Sequence, residues 1–144
     1  MKFKALVFDM DGTIANFYGV ENWLDHLTHG STYPYTAAKP MLRMNTLARK
    51  LNQLQRNGYK LKIISWTSKC GTDEFNAEIA ITKLSWLDVH LHSVKFDEIH
   101  IVPYGTPKSS FGSGILFDDE CGNREEWGAN AFPPELIMQI LNSL

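Results

Sequence analysis

The sequence predicts an α/β fold in three layers, with helices on the faces of a mostly parallel central sheet. Three observations carry this expectation. Short apolar runs alternate with longer stretches whose apolar residues recur every three or four positions, the pattern of βαβ units. Most of the runs end in polar or ionisable residues, as strands do at the ligand-binding rim of an open sheet. The length, 144 residues with 44% hydrophobic and 21% charged, fits one domain, 1–144, whose core needs no disulfide or metal staple.

Taken in order, Phe3–Phe8 (FKALVF) reads as a buried first strand. The stretch 14–39 does not fit the sheet layers; it is rich in aromatics (Phe17, Tyr18, Trp23, Tyr33 and Tyr35), holds a short helix at Val20–Leu27, and is expected to form a small cap or flap. Pro40–Asn57 reads as a helix, with Pro40 in its first turn, Met44, Leu47, Leu51 and Leu54 on its apolar stripe, and Gly58 just past its end. Tyr59–Ile64 is the second strand. Asp73–Leu87 is the next helix, capped by Thr72, with Phe75, Ile79, Ile81 and Leu84 as its apolar positions. Glu98–Val102 and Gly114–Phe117 are the third and fourth strands, a short fifth lies near Gly128–Phe132, and Pro134–Leu144 is a closing helix.

The net charge of −2 provides no global field to attract nucleic acid. Lys39, Arg43, Arg49, Lys50 and Arg56 lie close together in sequence, but their plainest reading is the solvated face of one helix. Cys70 and Cys121 form no metal-binding spacing and are expected to be free thiols. The opening MKFKALVFDMDGT lacks the long apolar region of a signal peptide, and no stretch approaches the roughly 20 apolar residues of a membrane helix, so a cytoplasmic location without membrane partners is expected. The five histidines show no metal-site spacing.

The strand ends carry the chemistry. The first ends in Asp9-Met10-Asp11-Gly12-Thr13, the second in Ser65-Trp66-Thr67-Ser68, and the fourth in Asp118-Asp119, with Lys108 in the Gly- and Pro-containing loop after the third. Carboxylates converging on one rim repel one another unless a cation lies between them. Oxygen donors of this kind suit Mg²⁺. Asp9 and Asp11, two residues apart, leave the strand end on the same side, with Met10 opposite. Gly12 permits the sharp turn that follows, and Thr13 braces it. Trp66, beside this rim, would either stack on a substrate or pack in the core.

FDMDGT resembles the DxDGT signature of the haloacid dehalogenase-like (HAD) superfamily, and the later motifs follow in that family's order: a hydroxyl residue after an apolar strand, a lone lysine, then an acidic pair after another apolar strand. The resemblance spans residues 3 to about 120 and implies a Rossmann-like core with a minimal cap. It implies a phosphatase in which Asp9 is the nucleophile and Asp11 the general acid and then base. Ser65, with Thr67 as its rival, would hydrogen-bond the phosphoryl group. Lys108 would neutralise the phosphoryl oxygens and Asp9. Mg²⁺ would be held by Asp9, the backbone carbonyl of Asp11 and Asp118, with Asp119 acting through water or by orienting Lys108. Gly12, Thr13, Trp66 and Thr67 are the expected substrate-side residues.

The motif FDMDGTIANF and the short interval from Lys108 to the acidic pair are similar to the 5′(3′)-deoxyribonucleotidases, which implies nucleoside monophosphates as substrates. A minimal cap leaves an open site, which suits either a macromolecular phosphate or a small phosphorylated substrate covered by an oligomer partner. A polynucleotide end phosphatase or a phosphotransferase would use the same core. A non-catalytic phosphate-binding module would be expected to have lost Asp9 or Asp11, and both are present.

Overall fold

The computed structural model describes residues 4–144; Phe3, expected to open the first strand, lies outside them. The strands are β1 (Ala5–Phe8), β2 (Ala15–Asn16), β3 (Lys39–Pro40), β4 (Lys60–Trp66), β5 (Glu98–Val102), β6 (Ile115–Phe117) and β7 (Ala131–Phe132). The helices are α1 (Trp23–Thr28), α2 (Tyr33–Ala37), α3 (Met44–Arg56), α4 (Asp73–His90), α5 (Cys121–Trp127) and α6 (Ile137–Ser143). Five strands form one parallel sheet in the order β5-β4-β1-β6-β7. The first strand is therefore central, and the chain winds outward from it in both directions, a Rossmann-like arrangement.

The alternation along β1 divides the core between the two faces of the sheet. Leu6 and Phe8 point into the larger cluster, which holds Leu47, Leu51 and Leu54 of α3, Trp86 and Leu87 of α4, and Ile137 and Leu141 of α6. Ala5 and Val7 point the other way, to Ile64 and Leu116, with Trp127 of α5 and Phe111 packed against them. Such burial is the dominant favourable contribution to folding, about 25 cal/mol per Å² of apolar surface.

Several expectations need correction. Pro40 does not open a helix. It pairs in β3 with Ala15, and α3 begins at Met44, because Lys39–Pro40 closes the 14–39 segment as an antiparallel pair with β2. On α4, Ile81 and Leu84 are exposed, and the buried positions are Phe75, Ile79, Lys83, Trp86 and Leu87. The helix α5 was not expected; its sequence CGNREEW offers only Trp127 as a large apolar side chain, too little for an amphipathic pattern. In the closing segment, Pro134–Leu136 is a 3₁₀ turn that leads into α6.

The 14–39 segment, expected to form a small cap or flap and called the cap below, is a helical excursion from the sheet. Its ends meet in the β2–β3 pair, and between them run a 3₁₀ turn (Phe17–Gly19), α1 and α2. Its helix begins at Trp23 rather than Val20. The cap has its own apolar cluster, in which Phe17 and Tyr35 join Phe75 and Ile79 of α4. No helix among the described residues is long and apolar enough to cross a membrane. Cys70 and Cys121 are both free and exposed.

Candidate active site

At the end of β1 the chain turns through Asp9–Thr13. Met10 is buried in the core, while Asp9 and Asp11 front a cavity of about 270 Å³. Gly12 has φ +79°, in the left-handed region, and a Cβ there would collide with the Asp119 carboxylate and stand 3.1 Å from the Tyr18 ring. Only glycine lets the acidic pair after β6 close against this turn. Thr13 is fully buried. Its hydroxyl donates to Asp9 Oδ2 at 3.0 Å and accepts from the Asp119 backbone N–H at 3.2 Å. Thr13 thus orients Asp9 and the acidic pair, and it does not line the cavity.

Lys108 enters from a 3₁₀ turn that follows Pro107. Its buried ammonium donates to Asp9 Oδ1 at 2.9 Å and to Asp118 Oδ2 at 2.7 Å. Burial works against its charge, but the two carboxylates outweigh burial and raise its pKa. Asp118, fully buried, also accepts from the Glu120 N–H at 2.9 Å and from Asn123 Nδ2 at 3.1 Å. Lys108 was expected beside Asp9, and it is; Asp119, expected to act through water or by orienting Lys108, makes no bond to it, because Asp118, just past β6, faces the lysine while Asp119 turns back onto Thr13. Asn123, on α5, had no motif to mark it and steadies Asp118 from behind.

The hydroxyls near the end of β4 are also rearranged. The strand runs on through Trp66, so Ser65 lies inside it, and its buried hydroxyl accepts a hydrogen bond from Lys83 at 2.7 Å. Thr67, the first residue past the strand, lines the cavity, whereas Ser65 does not. Trp66 also lines the cavity instead of packing between sheet and helix. Its indole N–H donates to the Thr106 carbonyl at 2.9 Å, and its ring lies 4.9 Å from that of Tyr104.

Lys83 is the largest departure from expectation. It projects from the middle of α4, is 1% exposed, and donates to Asp11 Oδ2 at 2.9 Å, Ser65 Oγ and the Trp66 carbonyl. Its sequence signal is faint: a lysine four residues after Ile79 on the stripe that begins at Phe75. Burial, reinforced by the charge of Asp9, raises the pKa of Asp11 even with Lys83 beside it.

Carboxylate oxygens of Asp9, Asp118 and Asp119 lie within 4.8 Å of one another. Their mutual cost is visible in their acidities. Burial and the charge of Asp9 push Asp118 up to about 6 and Asp119 up to about 8. Ionising these aspartates together is favoured only with a cation beside them, and the two buried lysines pair with Asp9, Asp11 and Asp118 but not with Asp119. All the donors are hard oxygens, so the residues fit Mg²⁺. The Asp11 carboxylate is not in this cluster; it faces Lys83, which leaves its backbone carbonyl as the expected donor.

Aromatic side chains wall the cavity. The cap contributes Phe17, Tyr18, Trp23 and Tyr35, with Phe17 and Tyr35 ring centroids 4.6 Å apart, and Trp66 and Tyr104 stand among the lining residues contributed by the core. The lining cations are Lys69 and Lys108. No family model matches the chain, and no curated protein matches it.

Proposed function

We propose that the protein is a magnesium-dependent phosphomonoesterase of the HAD-like type that passes the phosphoryl group through Asp9, with nucleoside or deoxynucleoside monophosphates as its substrates. The observation that carries this reading is the position of Lys108, bonded at once to Asp9 and Asp118 at the rim of the sheet, beside a cavity that Asp11 also lines. Phosphoryl transfer depends chiefly on positioning and charge stabilisation, and this is an arrangement for both.

In the first step an Asp9 carboxylate oxygen forms a bond to phosphorus as the bond from phosphorus to the ester oxygen breaks. The electron pair goes to the ester oxygen, which takes a proton from Asp11 and leaves as the alcohol. In the second step a water oxygen attacks the phosphorus of the aspartyl phosphate, and Asp11 takes the water proton. Inorganic phosphate leaves and the Asp9 carboxylate is restored. Thr13, bonded to Asp9, would orient it for attack, Lys108 would offset charge on Asp9, and Thr67, which lines the cavity, would supply the hydroxyl that meets the phosphoryl oxygens. Asp9, Asp118 and Asp119, with the Asp11 backbone carbonyl, would hold the magnesium ion, which would neutralise the phosphate charge.

The nucleotide assignment rests on the aromatic walls. A planar base is stabilised between ring faces, and the cap rings with Trp66 and Tyr104 provide them. A polynucleotide substrate would need a track of lysine and arginine, and the basic residues of α3 are not among those lining the cavity.

The test is phosphate release from a panel of 5′- and 3′-nucleotides, sugar phosphates and a 3′-phosphorylated oligonucleotide, with Mg²⁺ and with chelator. Release from nucleotides is expected to require Mg²⁺ and to fall to background in Asp9→Asn. Equal release by Asp9→Asn would remove Asp9 as the nucleophile, and preference for the oligonucleotide would overturn the substrate class.

A further inference from the structure

We propose that Lys83 is a positioning residue that fixes the Asp11 carboxylate for work on the leaving group. The inference rests on the phosphatase reading and deepens it.

Lys83 is too costly to be filler. Its position on α4 is flanked by buried Ile79, Trp86 and Leu87, where an apolar side chain of similar length would pack without charge. Burying an ammonium costs several kcal/mol unless its hydrogen bonds are all made. Here they are. The group has three N–H donors and three acceptors: Asp11 Oδ2 at 2.9 Å, Ser65 Oγ at 2.7 Å and the Trp66 carbonyl at 2.7 Å. The Tyr35 ring of the cap lies 5.2 Å from the nitrogen and covers it. No donor is left for substrate, and Lys83 is not among the residues lining the cavity. Whatever Lys83 does in turnover, it does through Asp11 and the end of β4.

What it does follows from the hydrogen-bond inventory. An ammonium only donates, so Asp11 Oδ2 must accept, and a proton on Asp11 resides on Oδ1. Asp11 lines the cavity, and its Oδ1 accepts no hydrogen bond from a described side chain. Lys83 therefore decides which oxygen of Asp11 carries the proton and holds the side chain in one orientation. As Asp9 bonds to phosphorus and the ester bond breaks, the electron pair and the Oδ1 proton both pass to the ester oxygen. The same cation ties the turn after β1 to the end of β4, as Lys108 ties β1 to β6. Small displacements of such groups are expensive, about 10²-fold in rate for 1 Å.

The experiment compares two esters that share a ring but differ in their need for a proton. p-Nitrophenolate leaves unaided, whereas phenolate benefits from an acid. Initial rates on phenyl phosphate and p-nitrophenyl phosphate, with Mg²⁺, are measured for the wild-type protein, Lys83→Met, Lys83→Arg, Asp11→Asn and the double variant Lys83→Met/Asp11→Asn. Lys83→Met is expected to lower kcat on phenyl phosphate about tenfold more than on p-nitrophenyl phosphate, a part of the roughly 10²–10⁴-fold that acid catalysis contributes. KM is expected to change less than about threefold, and Lys83→Met to add little once Asp11 is Asn. If Lys83→Met does not fold, Lys83→Arg carries the test: its planar fork keeps the charge but does not match the three acceptors, so the same ester-dependent loss is expected. Equal losses on both esters, a loss carried by KM, or full activity of Lys83→Arg would overturn the positioning role while leaving the phosphatase reading in place. A wild-type protein that hydrolyses neither ester and no member of the nucleotide panel would overturn the phosphatase reading, and the role of Lys83 with it.

Discussion

The helices α3 and α4 both cover the sheet, yet they obey different rules. In α3 the buried residues are Leu47, Leu51 and Leu54, and its basic residues Arg49 and Arg56 face solvent. In α4 a lysine is buried, while Ile81, Leu84 and Val89 are exposed. Packing is the whole task of α3, so its apolar period follows its buried face. By contrast, α4 passes behind the candidate active site and carries a charge into it, so hydrophobicity and burial part company along its length. A helix whose pattern fails is therefore worth inspecting for chemistry.

Substitutions on the two helices sharpen the contrast. The largest effect is expected from Leu51→Ala in α3, which removes a fully buried side chain from the main core and should lower unfolding stability by about 2–5 kcal/mol in denaturant titrations. The ratio of its rates on the two phenyl esters should stay that of the wild type, since α3 supplies nothing to the cavity. A smaller effect is expected at the start of α4, where Thr72 Oγ1 accepts from the Phe75 N–H at 3.1 Å. Thr72→Ala should cost about 1 kcal/mol by the same titration. The smallest is expected from Ile81→Lys, which places a lysine two residues before Lys83 on the exposed side of α4. Its stability should lie within about 0.5 kcal/mol of wild type. A large loss there would mean that the exposed apolar side chains of α4 are covered, and the contrast between the helices would then shrink.

The parts of the site that were legible from sequence are those fixed by strand ends. Asp9, Asp11, Lys108, Asp118 and Asp119 meet because parallel strands deliver their C-terminal ends to one rim, and β1 lies between β4 and β6. Register at the end of β4 was harder: the apolar run stops at Ile64, but backbone pairing with β5 continues to Trp66, which moves the strand-end hydroxyl from Ser65 to Thr67. Lys83 was illegible because a lysine in a helix is read as solvent-facing, and only its acceptors, contributed by β4 and the turn after β1, reverse that. Asn123 was hidden in a helix with almost no apolar signal. Pro40 was misplaced because a proline suits the first turn of a helix as well as an edge strand, and only the pairing partner Ala15 separates the two.

The β2–β3 pair has a consequence for how such a chain changes over generations. It clamps both ends of the cap together, with Ala15 opposite Pro40 and Asn16 opposite Lys39, before the chain returns to the sheet. The turn at Gly30, between α1 and α2, is exposed and has nothing packed on it. Lengthening a loop whose ends are already pinned costs little, about 0.6 kcal/mol for each doubling. Insertions at that turn would enlarge the roof over the cavity without shifting a strand of the floor, so a new substrate is accommodated there at no cost to the aspartates and lysines beneath.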